Sequence, residues 1–260
     1  MLTDIDQRTL AFVNLDAVLG ALGELCSRVP EARKLIETDA RPTTIAFAVR
    51  GGPRSALRVA GGAVTAEPGV GRGTITLPFA SPRAFNRMIA GEAKPVPVSG
   101  FTRLAFLTGV FAPLAEILTR YLRPSTTDLA DARFRETSTI LTLVVALGAV
   151  AQLAEHDRSG RYSAARIPDG DLAVEVGDVL AYTLRASDTR LRFLPERSPT
   201  PRAVLRFADL ETARGILSGE LTALACLGDG RMAMRGYIPM VDNVSRILDR
   251  AGQYLSEGAA

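Results

Sequence analysis

A pattern of residues in the first half of the chain recurs about 128 positions later, close to half of the 260-residue length. Phe79-Ala80-Ser81 precedes an apolar stretch that ends at Gly91-Glu92, and Phe207-Ala208-Asp209 precedes one that ends at Gly219-Glu220. Both copies are typical of a strand end, a helix-capping Ser81 or Asp209, a short helix and a terminating glycine. A repeat of this length indicates a duplicated module rather than a solenoid, whose repeats are shorter and more numerous.

Two modules of ordinary size therefore fit the chain better than one large domain. We place them at residues 1–125 and 126–260, with the segment Pro124-Ser125-Thr126-Thr127 as the linker between them. The hydrophobic fraction of 47% is large enough to give each module a core, and it excludes a disordered chain.

The composition argues against a nucleic-acid partner. The net charge is only +3, and the first 125 residues hold a small basic excess, 15 basic against 10 acidic residues. The chain has no Trp and 6% aromatic residues, so bases would find few side chains to stack on. Arg greatly outnumbers Lys, but the Arg residues are dispersed along the chain, as codon bias would produce.

The cysteines and the N-terminus indicate the compartment. Cys26 and Cys226 lie in different halves without metal-ligand spacing, which is typical of small buried side chains in a reducing environment. The first six residues lack the basic region of a signal peptide, so we expect a cytoplasmic protein. The sequence indicates no metal site and no cofactor.

The first half is expected to combine helices with a small sheet. Apolar residues at helical spacing predict an amphipathic helix over residues 5–23, and Pro30 opens a second helix that extends to about Thr38. Short apolar runs predict strands at residues 43–49, 56–59 and 73–79. The shared helix follows at 82–90, and an apolar stretch at 101–122 is expected to be helical at least from Ala112 onward.

The second half begins with a predicted helix over residues 134–157. Its centre, from Ile140 to Ala154, is apolar on almost every face but has only about 15 residues, fewer than the ~20 that cross a bilayer. We therefore interpret it as a buried helix or cavity wall. Asp169-Gly170 and Ser187-Asp188 are expected as hairpin turns. Strands are predicted at 162–167, 171–176, 179–186, 189–194, 202–208, 221–227 and 231–236, and helices at 210–218 and 241–254.

The expected fold class is α+β: a mainly antiparallel sheet of about five strands covered by helices, present twice. The C-terminal half resembles the sterol carrier protein type 2 family. The resemblance is carried by the strand 203–207, the helix that ends at Gly219-Glu220-Leu221, the hairpin strand Gly230-Arg231-Met232-Ala233-Met234-Arg235-Gly236 and the closing helix. It covers residues 162–255, with a weaker version at 40–122 that lacks a clean Gly-x-hydrophobic-x-hydrophobic-x-Gly strand.

This resemblance implies an apolar tunnel for a sterol, a fatty acid, a fatty acyl-CoA or a related lipid. Three of the five methionines fall within nine residues, and soft, unbranched Met suits a wall that accepts variable apolar ligands. Ordinary core packing is the alternative explanation for these residues. The residues expected at the ligand site are Phe85, Met88, Ile89, Leu217, Leu224, Met232, Met234, Tyr237, Met240 and Ile247.

The sequence does not indicate an enzyme. His156 is the single histidine and lies near a predicted helix end, where an exposed imidazole is common, and no nucleophile or phosphate-loop motif accompanies it. The leading hypothesis is non-catalytic binding, and transfer, of a hydrophobic small molecule or lipid. It allows a homodimer and transient contact with a membrane surface, without a transmembrane segment. The alternative is an interaction or scaffold protein with filled cores and no ligand.

Overall fold

The computed structural model describes residues 5–39, 41–69 and 73–257. It is an α+β structure with one sheet of four strands and one of five, and helices precede and follow each sheet in the chain. Internal contacts divide the protein into two compact units, residues 5–141 and 142–255, which we call the N-terminal and C-terminal units. The expected α+β fold class is therefore confirmed.

The N-terminal unit opens with a continuous helical stretch. α1 (Gln7–Phe12) passes through a π-helical segment (Val13–Val18) and a 3-10 turn (Leu19–Ala21) into α2 (Leu22–Arg28). Asp6 caps the stretch by accepting hydrogen bonds from the amides of Arg8 and Thr9. α3 (Pro30–Glu37) follows, with Pro in its first turn, where an amide hydrogen has no helical partner.

The sheet of this unit has the strand order β3-β2-β1-β4. β1 pairs antiparallel with β2 and parallel with β4, and β2 pairs antiparallel with β3. Three alternating side chains of β1 are buried: Ile45, Phe47 and Val49. The strands are β1 (Thr43–Val49), β2 (Arg54–Ala60), β3 (Ala63–Pro68) and β4 (Ile75–Phe79).

The shared helix, α4 (Pro82–Ile89), begins as predicted, because the Ser81 hydroxyl accepts a hydrogen bond from the Ala84 amide at 3.2 Å. The chain then returns to the edge of β4, where Thr76 and Ser99 form an isolated bridge. A proline on each side of Val96 lacks an amide hydrogen, which limits the ladder there. Residues 101–122 are helical throughout: a 3-10 turn (Phe101–Arg103), α5 (Leu104–Phe106), a π-helical segment (Leu107–Phe111) and α6 (Ala112–Leu122).

A capping box of Ser125 and Asp128 opens α7 (Thr126–Ala130), and α8 (Ala132–His156) follows. Three helical stretches are long and apolar enough to cross a membrane by length and composition: Gln7–Arg28, Phe101–Leu122 and Ala132–His156. In α8, 78% of the apolar window is buried inside the protein, as the interpretation of a buried helix requires. The corresponding figure for Phe101–Leu122 is only 33%.

The C-terminal unit contains a sheet in the order β7-β6-β5-β8-β9, in which β5 and β8 are parallel and the other pairs antiparallel. The hairpin between β6 and β7 is present, but its two loop residues are Asp188 and Thr189, at φ 52° and 63°, rather than the predicted Ser187 and Asp188, because Ser187 is still paired with Arg190. The elements of the C-terminal unit after α8 are α9 (Arg158–Ala164), β5 (Gly170–Val176), β6 (Leu180–Ser187), β7 (Arg190–Leu194), β8 (Ala203–Phe207), α10 (Leu210–Leu217), α11 (Ala223–Gly228), β9 (Met232–Gly236) and α12 (Ile238–Glu257).

Two predicted strands are helices instead. Residues 162–164 are the end of α9 and residues 165–167 form the turn after it, because the Asp157 carboxylate caps this helix by accepting hydrogen bonds from the Ser159 and Gly160 amides, each at 2.9 Å. Asp169-Gly170 is therefore not a hairpin turn. Residues 221–227 fall mostly in α11, which the Thr222 hydroxyl caps.

The two sheets share a strand order up to β9, since β3-β2-β1-β4 and β7-β6-β5-β8 have the same directions. They also share a close backbone approach. Gly100 and Gly236 both have φ 80°, and an added Cβ would lie 2.2 Å from the Thr74 carbonyl oxygen and 2.3 Å from that of Arg202, respectively. Each glycine is followed directly by a helical turn, so each turns the chain from the sheet edge into a helix.

Candidate ligand-binding site

The inner face of the five-stranded sheet is built from apolar rows that run across its strands. One row joins Tyr182, Val174, Leu205 and Met234, and the next joins Leu180, Val176, Phe207 and Met232. Both rows end on β9, the edge strand, so the two methionines close the apolar face on that side. Met232 is 7% exposed and Met234 is half-buried. Met232 and Met234 thus lie on one face of β9.

α12 supplies a buried stripe with helical spacing. Met240 and Ile247 are 0% and 1% exposed, whereas Tyr237 and Ile238, where the helix begins, are 42% and 44% exposed. The remaining members of the stripe are Val241, Val244, Ala251 and Tyr254, all buried. The helix therefore presents apolar surface both to the interior and, at its start, to solvent.

Polar contacts fix both ends of α12. At its start the Tyr237 amide donates a hydrogen bond to the Arg202 carbonyl at 3.1 Å, and the Arg202 guanidinium lies over the Tyr237 ring, 5.0 Å from the centroid. Near its end the buried Tyr254 hydroxyl donates to Asp157 at 2.9 Å, and Arg250 lies 3.5 Å from the same carboxylate. Asp157 also caps α9, so one carboxylate joins two helices.

The predicted ligand residues of the N-terminal unit lie on α4. Phe85 is fully buried and packs edge-on against Phe47 and Phe79, with ring centroids 6.1 and 5.1 Å apart. Its ring is held by aromatic packing on two sides. Met88 and Ile89 are half-buried near the end of the same helix.

The other predicted ligand residues of the C-terminal unit differ in their exposure to solvent. Leu217 is the half-buried last residue of α10. Leu224 lies on α11 and is 80% exposed, because the segment that was expected to be a strand is helical. The last helix was predicted over residues 241–254, but α12 begins at Ile238, and Asp242 pairs with Arg246 at 3.1 Å on the helix surface.

The outer face of the same sheet is charged. The side chain of Glu175 is 8% exposed and lies 2.7, 3.1 and 3.9 Å from Arg197, Arg206 and Arg235, respectively. Beside it, Arg185 donates two hydrogen bonds to Asp171, at 2.8 and 2.9 Å, and Ser198 donates a third at 2.7 Å. These bonds hold the pKa of Asp171 below its usual value.

Three pockets are lined by described residues, and none of the three includes a predicted ligand residue. The first, about 640 Å³, lies between α1 and α4 and contains the buried Asn14 and Asn86, whose amides are bonded at 3.1 Å. The second, about 570 Å³, lies at the ends of β1 and β4. The third, about 320 Å³, surrounds Arg214 of α10. Sequence analysis missed all three, because their walls join residues that only strand register and helix packing bring together.

His156 is the half-buried last residue of α8. Among residues 5–39, 41–69 and 73–257, no group of three or more His, Cys, Asp or Glu side chains could hold a metal ion. Cys26 and Cys226 are free and buried, as the sequence predicted.

No protein-family model matches the chain, and no curated protein matches it. Similar solved structures include a UbiJ-SCP2 ubiquinone synthesis protein, with 18% identity and a TM-score of 0.34, over 43% of this chain and 91% of that one. Sterol carrier protein domain 2 of Helicoverpa armigera matches at 11% identity and TM-score 0.34, over 43% and 88%. Sterol carrier protein 2 like 2 of Aedes aegypti matches at 11% and 0.30, over 41% and 95%. The chain is thus similar to sterol carrier protein 2 domains over less than half of its length.

Proposed function

We propose that the C-terminal unit is a non-catalytic module that binds a hydrophobic small molecule, such as a fatty acid, fatty acyl-CoA or polycyclic lipid, between the inner sheet face and α12. The observation that carries this proposal is the arrangement of the two apolar rows, which end in Met232 and Met234 on the edge strand. A flexible thioether at the rim of an apolar face can change rotamer to admit guests of different shape. Each methylene of a buried chain contributes about 0.8 kcal/mol, so binding needs no directional chemistry.

The entrance is proposed at the start of α12. Tyr237 and Ile238 are exposed there, whereas Met240, two residues further along the helix, is buried. The Tyr237 hydroxyl is suited to hold the polar end of a guest. Opening requires the first turns of α12 to move and to break the contacts of Tyr237 with Arg202, while the Asp157 contacts hold the far end.

The same segments support transient contact with a membrane surface. Large exposed apolar side chains concentrate where each unit's helix leaves its sheet edge. These are Val96, Val98, Phe101 and Leu104 in the N-terminal unit and Tyr237 and Ile238 in the C-terminal unit. An exposed apolar surface of this kind is typical of an interaction site, and a lipid carrier must meet a bilayer to exchange its cargo.

The shared strand order and the matched glycines support the further proposal that the two units are copies of one sterol-carrier-like module. The free, buried cysteines suit a cytoplasmic protein. A homodimer is compatible with this proposal but is not required by it.

The test compares two substitutions on one strand. Met234→Glu places a charge on the inner face, and Ala233→Glu places the same charge on the exposed outer face, one residue away. Native mass spectrometry detects co-purified lipid, and titration with a fluorescent fatty acid measures affinity. We expect saturable binding that Met234→Glu weakens at least about tenfold and Ala233→Glu leaves within about twofold. Absence of saturable uptake by the unsubstituted protein would support the scaffold alternative.

A further inference from the structure

The groove at the ends of β1 and β4 differs in character from the other pockets of the N-terminal unit. It has a volume of about 570 Å³, within the ~300–1,000 Å³ typical of small-molecule sites. Its walls are apolar except for two arginines. The lining residues are Ala48, Val49, Arg50, Arg54, Pro78, Phe79 and Ala80.

Strand register explains how this groove forms. Arg54 of β2, Ala48 of β1 and Pro78 of β4 lie side by side in one row on the outer face of the sheet. The two apolar members of the row are small or lack a flexible side chain, so they leave a trough between the strands. The Arg50 amide donates a hydrogen bond to the Phe79 carbonyl at 3.0 Å, which fixes the end of the trough.

The two arginines have no acidic partner within the part of the chain that the structure describes. Arg50 and Arg54 are both exposed, and neither guanidinium forms an ion pair there. The acidic residue on the neighbouring strand, Glu67, pairs with Arg58 at 3.7 Å. The groove thus offers two uncompensated positive charges beside an apolar trough.

The C-terminal unit shows the same row in a closed form. There Ala181, Glu175 and Arg206 take the places of Arg54, Ala48 and Pro78 in the equivalent register. Glu175 and Arg206 are bonded at 3.1 Å, so the row supplies its own anion and its own cation. In the N-terminal unit Ala48 and Pro78 stand in the places of this pair, and Arg54 is the one charged member of the row.

We propose that this groove binds a single-chain anionic amphiphile, with the carboxylate of a fatty acid held by Arg50 and Arg54 and its alkyl chain lying along Ala48 and Pro78. Guanidinium groups suit a carboxylate because they form charge-assisted, bidentate hydrogen bonds. The site is in a different unit from the one proposed above and does not depend on it.

The experiment uses the full chain with dodecanoate, below its micellar concentration, as the probe. Dodecyltrimethylammonium carries the same chain with the opposite charge, and butanoate carries the head group with almost no chain. Isothermal titration should show binding of dodecanoate, with at least about tenfold weaker binding of both comparison ligands. In Met234→Glu protein, whose C-terminal site is weakened, equal affinity for the cationic probe would overturn the proposal, because the arginines would then play no part.

Location is tested with a fatty acid that bears a photoreactive diazirine. Crosslinks are expected in peptides that contain residues 46–54 and 75–80, separately from any in 232–247. Crosslinks confined to 232–247 would support the site in the C-terminal unit and contradict this one. Crosslinks confined to 46–54 and 75–80 would support the groove and contradict the site in the C-terminal unit. The two proposals can therefore fail independently.

Two variants and one control complete the test. Arg50→Gln with Arg54→Gln should weaken dodecanoate binding in the groove at least about tenfold. Ala48→Glu with Pro78→Arg should abolish it by installing the pair that closes the row in the C-terminal unit. Arg83→Gln removes an exposed arginine from a different pocket of the same unit and should change the affinity less than about twofold. Unchanged crosslinking in folded Arg50→Gln, Arg54→Gln protein would overturn the proposal.

Discussion

The two units use one strand order to build opposite surfaces on the outer faces of their sheets. In the C-terminal unit, Glu175 is buried among three arginines, and the ion pair of Glu175 with Arg206 fills the row across β5 and β8. In the N-terminal unit, Ala48 and Pro78 occupy that row and leave a groove. The comparison shows that a fold can keep its register while a few side chains decide whether a surface is closed or open to a ligand.

The sheet edges differ as well. In the C-terminal unit, β9 completes the sheet and buries Met232. In the N-terminal unit the prolines limit the equivalent edge to one bridge, and Val96 and Val98 are 75% and 59% exposed. The edge of β4 is therefore left mostly unpaired, whereas β9 covers the equivalent edge of β8.

The largest expected effect comes from the two glycines at these edges. Gly100→Ala and Gly236→Ala each place a Cβ against a carbonyl oxygen in a left-handed backbone conformation, and we expect each to destabilise its unit by at least about 2 kcal/mol. Gly91→Ala and Gly219→Ala are the controls, since their φ is also positive but no atom lies within 4 Å of the added Cβ. They should cost about 1 kcal/mol in urea unfolding. Equal losses of stability at all four positions would contradict the close approach of Gly100 and Gly236 to carbonyl oxygens.

A smaller loss of stability is expected at the row that contains Glu175 and Arg206 on the outer face of the C-terminal sheet. Glu175→Gln removes the carboxylate that three arginines share, and we expect a loss of about 1–2 kcal/mol, because the arginines are partly exposed and can be solvated. Glu67→Gln is the matched control, since it removes a half-exposed partner of Arg58 and should cost less than about 0.5 kcal/mol. A null effect at Glu175 in the same unfolding measurement would contradict the description of this row as closed by charge.

The smallest change is expected from thiol labelling, which reads the two units separately. Burial raises the pKa of Cys26 to about 11, so little thiolate forms at pH 8, and Cys226 is fully buried. Neither thiol should react with Ellman's reagent in the native protein. In low urea, Gly100→Ala should expose Cys26 first and Gly236→Ala should expose Cys226 first. Rapid labelling of either thiol without denaturant would show that its unit is not packed as described.

Local signals in the sequence predicted much of this architecture. The caps at Ser81 and Asp209 placed α4 and α10, and apolar alternation placed β1 and β7. The strand predictions at 162–167 and 221–227 were wrong for one reason. A short apolar run fits a strand or a helix, and the capping residues Asp157 and Thr222 stabilise a helix at these two places.

The sites were harder to predict than the elements. The methionine rows followed from alternation along one strand, since Met232 and Met234 lie two residues apart. The groove could not be predicted in this way, because Arg54, Ala48 and Pro78 become neighbours only through the register of three strands. Leu224 shows the reverse problem, since its expected role depended on a strand that is a helix.

The central claim, that the inner face of the C-terminal unit holds a hydrophobic guest, is tested most directly by NMR of methyl-labelled methionine. The chain has five methionines, of which Met232, Met234 and Met240 lie at the proposed site and Met88 lies on α4 of the other unit. On titration with a fatty acid, we expect saturable shifts of the Met232, Met234 and Met240 methyl signals that Met234→Glu weakens. Saturation of the protein with the fatty acid while all three methyl signals stay unmoved would contradict the account.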